Sequence, residues 1–241
     1  MNAPFFFIEQ IVSVGEMLTL SEETSRHVSG VLRMEKGKGL ALTNGKGYLF
    51  QSVIEESHKK KTRVKIRFEQ KQDPSPAQVI IAISLLRNAS RFEWFLEKAT
   101  EIGISTIIPF ISARTEKQFF RYERMKAILI SAMLQSQQTW LPQLHQPVLY
   151  KDLFSTISNL NPAQKFIAHC EPDYKELLTA SLNPSLSSSV ILIGPEGDFT
   201  SEEISLSRAE NIVPVSLGPT RLRTETAGIV AATIMVQGRA R

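Results

Sequence analysis

Between Val190 and Val236 the chain twice runs from a short apolar stretch into a glycine-proline turn and then into a helix. Val190–Ile193 stops at Gly194-Pro195-Glu196-Gly197-Asp198. A helix is predicted to open at Thr200, where Thr200-Ser-Glu-Glu203 has the form of a capping box. Ile212–Leu217 stops at Gly218-Pro219, and a last helix is predicted from Thr224. Strands of this buried type alternating with helices restrict the chain to α/β folds with a largely parallel sheet. In such sheets ligands bind outside the carboxyl ends of the strands. Two such loops so close in sequence predict one small-molecule pocket built from both.

The same grammar begins at Val79. Val79–Ser84 reads as a buried strand, and Ser90 as the N-cap of a helix with Glu93 completing a capping box. Phe92, Phe95, Leu96, Ala99 and Ile102 form its apolar stripe, and Gly103 ends it. Thr106–Ile111 is the next strand. Tyr122–Gln138 is a helix with Met125, Ile128, Leu129, Ala132 and Met133 inward, Phe166–His169 a strand and Tyr174–Ala180 a helix. Asp73-Pro74-Ser75-Pro76 interrupts both helix and central strand, which places a domain boundary there: 1–72 and 73–241. Residues 1–72 read as mostly β. Ser21–Leu32 is a short helix, and Asn44-Gly45-Lys46-Gly47 turns a hairpin between Lys38–Thr43 and Tyr48–Ile54.

Charge separates the two parts. Residues 1–72 carry 12 Lys and Arg against 8 Asp and Glu, whereas the rest is balanced at 16 against 16, so the net +4 lies in the first part. In Thr62–Phe68, Val64, Ile66 and Phe68 fall on one strand face, and Arg63, Lys65 and Arg67 on the other. That basic face, with His58–Lys61, suits phosphate contacts as well as simple solvation. One cysteine, Cys170, excludes an intrachain disulfide framework, and four scattered histidines disfavour a metal centre. Met1–Gln10 lacks a leader pattern and no apolar run is long enough to span a bilayer, so a cytoplasmic setting is expected.

Neither a dinucleotide fingerprint nor a P-loop is present. Gly194-Pro-Glu-Gly197 sets a carboxylate where phosphate would want bare N–H groups. S-adenosylmethionine, a sulfonium without phosphate, satisfies that electrostatic logic. Taken alone, these residues favour a plain tight strand-to-helix turn, in which Gly and Pro only satisfy backbone geometry.

Ile193-Gly-Pro-Glu-Gly197 and Leu217-Gly-Pro-Thr-Arg-Leu-Arg-Thr-Glu-Thr-Ala227 resemble the GPEGG and LG-x-R-I-L-R-x-E-T-A signatures of the ribosomal RNA small subunit methyltransferase E family. Glu93–Gly103, Ser131–Leu144 and His27–Arg33 resemble further motifs of that family, so the likeness spans the chain. It departs at Asp198, where the family has a second glycine. Thr220 and Arg221 stand for an arginine and an isoleucine, Gln138 for a common arginine, and Leu134 for a common glutamate. The resemblance implies a SPOUT-type α/β sheet with a C-terminal trefoil knot, preceded by a small PUA-like RNA-binding β-barrel. It also implies a homodimer, no metal, and S-adenosylmethionine-dependent methylation of uridine N3 in 16S rRNA. Ala227, Gly228, Ala231 and Ala232 in the last helix would suit either a close dimer contact or tight packing within one subunit.

On this reading Arg223 is the first candidate to stabilise charge on uracil oxygens, with Arg87 and Arg114 second. Glu225 is a candidate base or orienting carboxylate, or a simple helix-dipole partner. Donor-binding candidates are Ile193, Gly194, Pro195, Glu196, Gly197, Leu217, Gly218, Leu222 and Thr226; RNA-binding candidates are His27, Arg33, Arg63, Lys65 and Arg67. A noncatalytic RNA-binding or ribosome-assembly protein on the same fold, and a SPOUT enzyme with another RNA target, are the alternatives.

Overall fold

The structure is a computed structural model that describes residues 3–116 and 118–238. Met1 and Asn2, at the head of Met1–Gln10, lie outside the described residues, as do Lys117 and the last three residues of the chain. The chain divides into two compact units: residues 1–74 with 133–141, and residues 75–132 with 142–241. The segment 133–141, which the Asp73-Pro74 boundary alone assigns to the second part, thus belongs to the first unit.

The first unit holds one five-stranded sheet in the order β1 (Phe5–Phe7), β3 (Gly39–Thr43), β4 (Tyr48–Glu56), β5 (Arg63–Lys71), β2 (Met17–Thr19). Its core gathers Leu40, Leu42, Phe50, Ile54, Val64 and Ile66, with Val28 from the helical segment. That segment is α1 (Glu22–Arg26), N-capped by Ser21 as its sequence predicts, running on into a π-helical turn over His27–Val31. Val64 and Ile66 are buried, but Phe68 is 49% exposed. The register between β4 and β5 slips at Gln51/Ser52, opposite this stretch, so the alternation that buries Val64 and Ile66 is not carried to Phe68.

The second unit is built on an eight-stranded sheet in which every pairing is parallel. Its order is β11 (Glu176–Leu177), β13 (Val213–Ser216), β10 (Gln164–Ala168), β12 (Ser188–Ile193), β6 (Gln78–Ser84), β7 (Thr106–Ile111) and β8 (Gln143–Leu144), with β9 (Val148–Leu149) also on β7. Central strands β6 and β12 are buried almost throughout, which is why they read as unbroken apolar runs. One face is covered by α4 (Tyr150–Leu160) and α6 (Ser201–Ala209), through Tyr150, Leu153, Ile157 and Ile204. On the other, α2 (Ala89–Ile102) packs against α7 (Thr224–Gln237), and α7 lies on β6 and β12.

Three local expectations are corrected. Helix α2 starts earlier than Ser90: the Asn88 side chain accepts from the Ser90 amide at 2.9 Å, and Glu93 pairs with Arg124 at 2.5 and 2.9 Å in place of a capping box. The Tyr174–Ala180 helix is instead a two-residue strand, β11, followed by a single helical turn, α5 (Leu178–Ser181), because Glu176 and Leu177 pair with the edge of β13. Helix α3 (Tyr122–Gln135) stops short of Gln138, and Gln137 turns left-handed at φ 57°.

Candidate active site

Strands β10, β12 and β13 all end at the same rim of the parallel sheet, and the loops that follow them meet there. Two hollows result, of about 320 and 500 Å³, sharing Ala168, Cys170, Arg221, Leu222 and Ala227. The first is lined further by Ile193, Gly194, Pro195, Glu196, Asp198, Arg223 and Thr224. The second adds His169, Glu171, Asp173, Lys175 and Val215–Thr220. Both sizes fall in the range of roughly 300–1,000 Å³ typical of small-molecule sites.

The loop after β12 is held from three sides. The Arg114 guanidinium donates to the carbonyls of Gly197 (2.7 Å) and Phe199 (3.2 Å). Glu203 closes the predicted capping box on Thr200, while its other oxygen accepts from the Ala113 amide at 2.8 Å. The turn before Arg114 and the start of α6 are therefore fixed by one buried carboxylate. Phe199 packs against both Phe110 and Tyr150, which also touch each other, and a Cβ on Gly194 would stand 3.0 Å from its ring. A side chain at Gly194 would crowd the Phe199 ring, so packing alone favours glycine there.

Asp198 sits where the resembled family has glycine, and its φ is +63°. Its carboxylate answers the strain of that left-handed backbone: Oδ2 accepts from the Cys170 amide at 2.7 Å and Oδ1 from its neighbour Phe199 at 2.8 Å. The departure therefore keeps the turn and ties it to the loop after β10. Gly218 has φ +140° with nothing within 4 Å of where a Cβ would be, so it leaves space at the second hollow, while its N–H donates to Ser216 Oγ at 3.3 Å and its carbonyl accepts from the same hydroxyl at 3.1 Å.

Of the donor-binding candidates, Ile193, Gly194, Pro195, Glu196 and Leu222 line the first hollow; Leu217, Gly218 and again Leu222 line the second. Gly197 turns its carbonyl to Arg114, and Thr226 is half-buried in the first turn of α7. Arg223 is exposed at the N-cap of α7 and lines the first hollow, with no side-chain partner among the described residues. Glu225 is buried; Oε1 lies 3.6 Å from Arg91 Nε and Oε2 has no hydrogen-bond partner among the described residues. Arg87 Nε reaches Glu116 at 3.3 Å, and its amide donates to Glu196 at 3.2 Å.

Sequence reasoning missed His169 and Arg91. Both His169 ring nitrogens are buried without a hydrogen-bond partner among the described residues, and the Asp173 carboxylate at 4.0 Å is too far to supply one. Burial, with Lys175 nearby, pushes this imidazole below its ordinary value of 6.5. Burial likewise raises the Cys170 thiol, which the Asp198 carboxylate reinforces. A histidine ending an apolar strand carries no sequence signal of its own, and Arg91 reads as a solvated position of α2.

The RNA-binding candidates all fall in the first unit. Arg63 and Arg67 lie on β5 and pair with Glu56 (3.9 Å) and Glu55 (2.9 Å), while Lys65 is half-buried opposite Met17. His27 meets Phe6 edge-on, and Arg33 is exposed at φ +52°. The Thr62 amide donates to Ser25 Oγ at 3.0 Å, which brings the start of β5 to α1.

A parallel sheet with a two-loop pocket at its carboxyl rim defines a small-molecule-binding α/β domain, and residues 73–236 match the family described as RNA methyltransferase domain. A Synechocystis protein named ribosomal RNA small subunit methyltransferase E is 30% identical, with 92% of this chain and 73% of that protein covered. A probable rRNA methyltransferase structure from Porphyromonas gingivalis is 32% identical with TM-score 0.89, covering 98% of each chain. The structure of ribosomal RNA small subunit methyltransferase E from Neisseria gonorrhoeae, bound to S-adenosyl methionine, is 26% identical with TM-score 0.85 over 97% of each. The chain belongs to the ribosomal RNA small subunit methyltransferase E family.

Proposed function

We propose that this chain transfers a methyl group from S-adenosylmethionine to N3 of a uridine in 16S rRNA of the small ribosomal subunit. The observation that carries this is the pair of contiguous hollows at the strand rim, in a chain whose gonococcal relative is named as binding that donor. The residues present fit such a molecule. Half-buried Leu217 and Leu222 offer apolar surface to an adenosine, the absent side chain at Gly218 leaves room for it beside the main chain, and the His169 ring offers a polar contact. When bound, the donor supplies an electrophilic methyl for in-line displacement by N3.

The chain's own residues then position and discharge. Arg223, without a side-chain partner among the described residues, stabilises negative charge on uracil O2 or O4 as the N3 proton passes to solvent water. Arg114 acts through the main chain, fixing the loop that carries Gly194–Gly197. Glu225 orients Arg91. Arg87 stands beside Glu196 at the same rim.

The same proposal assigns 1–72 as a PUA-like RNA-binding β-barrel, with His27, Arg33, Arg63, Lys65 and Arg67 on phosphates, and 73–241 as the SPOUT methyltransferase domain. A trefoil knot is supported by the path of the chain: β13 lies outside β10, yet α7 returns to pack on β6 and β12. A cytoplasmic homodimer completes the reading. Arg223→Ala is expected to abolish turnover while S-adenosylmethionine still binds in a calorimetric titration; equal loss of both would remove Arg223 from the chemistry. The reaction itself is tested by nucleoside mass spectrometry of 16S rRNA after incubation with methyl-labelled donor. Labelled 3-methyluridine is the expected product, and label in another nucleoside would redirect the assignment.

A further inference from the structure

Beside the donor hollows, and sharing Glu196 with the first of them, lies a larger cleft of about 880 Å³. It is walled by Leu86, Arg87, Arg91, Glu116 and Phe119. Phe119 is 70% exposed, one of the most exposed large apolar side chains among the described residues. Its neighbour Phe120 differs, packing its ring on Phe92 and Tyr122. Arg121 lies 5.0 Å from the centroid of the Phe119 ring. An aromatic left in water beside three arginines has the composition of a nucleotide platform, in which a base stacks on the ring and cations meet its phosphates.

We propose that the acceptor nucleotide of the RNA enters this cleft with its base stacked on Phe119 and its flanking phosphates on Arg87 and Arg91. This rests on the methyl-transfer reading above. N3 lies on the pairing edge of uracil, so a base that reacts there must be unpaired and drawn out of its stack, and a flipped base requires a pocket and a stacking partner. The cleft is large enough for a nucleotide and adjoins the donor loop at Glu196. The Arg87–Glu116 pair at 3.3 Å is exposed on both sides, and such pairs contribute little, so Arg87 is free to exchange its partner for phosphate. Arg91, backed by Glu225, is held in place to do the same.

The test uses the full chain and two variants. Phe119→Ala should lower kcat/KM for small-subunit rRNA roughly ten- to a hundred-fold, the range of one lost base–aromatic stack, while the calorimetric affinity for S-adenosylmethionine stays within two-fold of wild type. Phe119→Trp should retain most activity, and its fluorescence should be quenched by a short uridine-containing RNA but not by the same RNA with the uridine made abasic. Wild-type kcat/KM in Phe119→Ala, or unquenched Phe119→Trp, overturns the cleft and leaves the methyl-transfer reading standing. Quenching in a protein that never methylates RNA supports the cleft and removes the reaction. A change of sedimentation coefficient in Phe119→Ala would assign the ring to a contact between copies of the chain and overturn the proposal.

Discussion

Asp198 shows how a single side chain can stand in for a glycine. The turn after β12 needs a left-handed residue, and an L-residue pays for it unless its own polar atoms are satisfied locally. Asp198→Ala keeps the strain and orphans two amides, so it should cost about 1–2 kcal/mol and weaken donor binding. Asp198→Gly relieves the backbone and should cost less in both thermal melts and calorimetry. A loss as large as that of alanine would show that the carboxylate, not the φ angle, dominates. His169 makes a pH prediction. Its folded-state value is depressed by burial, so below the ordinary value of 6.5 the unfolded chain takes up a proton that the folded chain refuses. Stability is therefore full above that value and falls as pH drops toward the depressed one. Melting temperature measured downward from pH 7 should decline more steeply in wild type than in His169→Asn, and parallel curves would contradict this assignment.

Among the elements, the last helix was legible only in part. Its start at Thr224 and its small residues can be read directly from the sequence, but not which neighbour needed them small. The structure answers for Gly228: a Cβ there would lie 2.7 Å from the Phe95 ring and 3.1 Å from Ile83, so this glycine serves packing of α7 on α2 and β6 within the chain. Gly228→Ala should therefore destabilise by about 1–3 kcal/mol through overpacking, read as a lowered denaturant midpoint; an unchanged midpoint would mean that the helices simply shift apart. The strands β6, β7 and β12 were plain because central parallel strands are apolar on both faces. The capping box on α6 was plain because both its partners are local. The start of α2 was not, since Glu93 has a stronger partner in Arg124, 31 positions away, and no local rule anticipates it. Likewise β11 exists only because β13 offers an edge. In the site, loop positions followed from the strand–glycine pattern, whereas His169, Arg91 and the Arg114 anchor depend on long-range contacts.

For the molecule as a whole, the fold gathers the proposed donor pocket at one rim of the parallel sheet in the second unit, whereas the positive excess lies in residues 1–72. Among the described residues no helix is long and apolar enough to cross a membrane. The proposed homodimer predicts a sedimentation-equilibrium mass twice the 27.0 kDa of the chain, and a monomer at micromolar concentration would refute it. The central claim is that the loops Ile193–Asp198 and Ser216–Leu222 jointly hold S-adenosylmethionine. Amide chemical-shift mapping during titration with that donor tests it most directly. The account predicts that the largest shifts cluster on those two loops and on Ala168–Cys170, saturating together with one affinity; shifts confined to one loop, or scattered elsewhere in the chain, would contradict it.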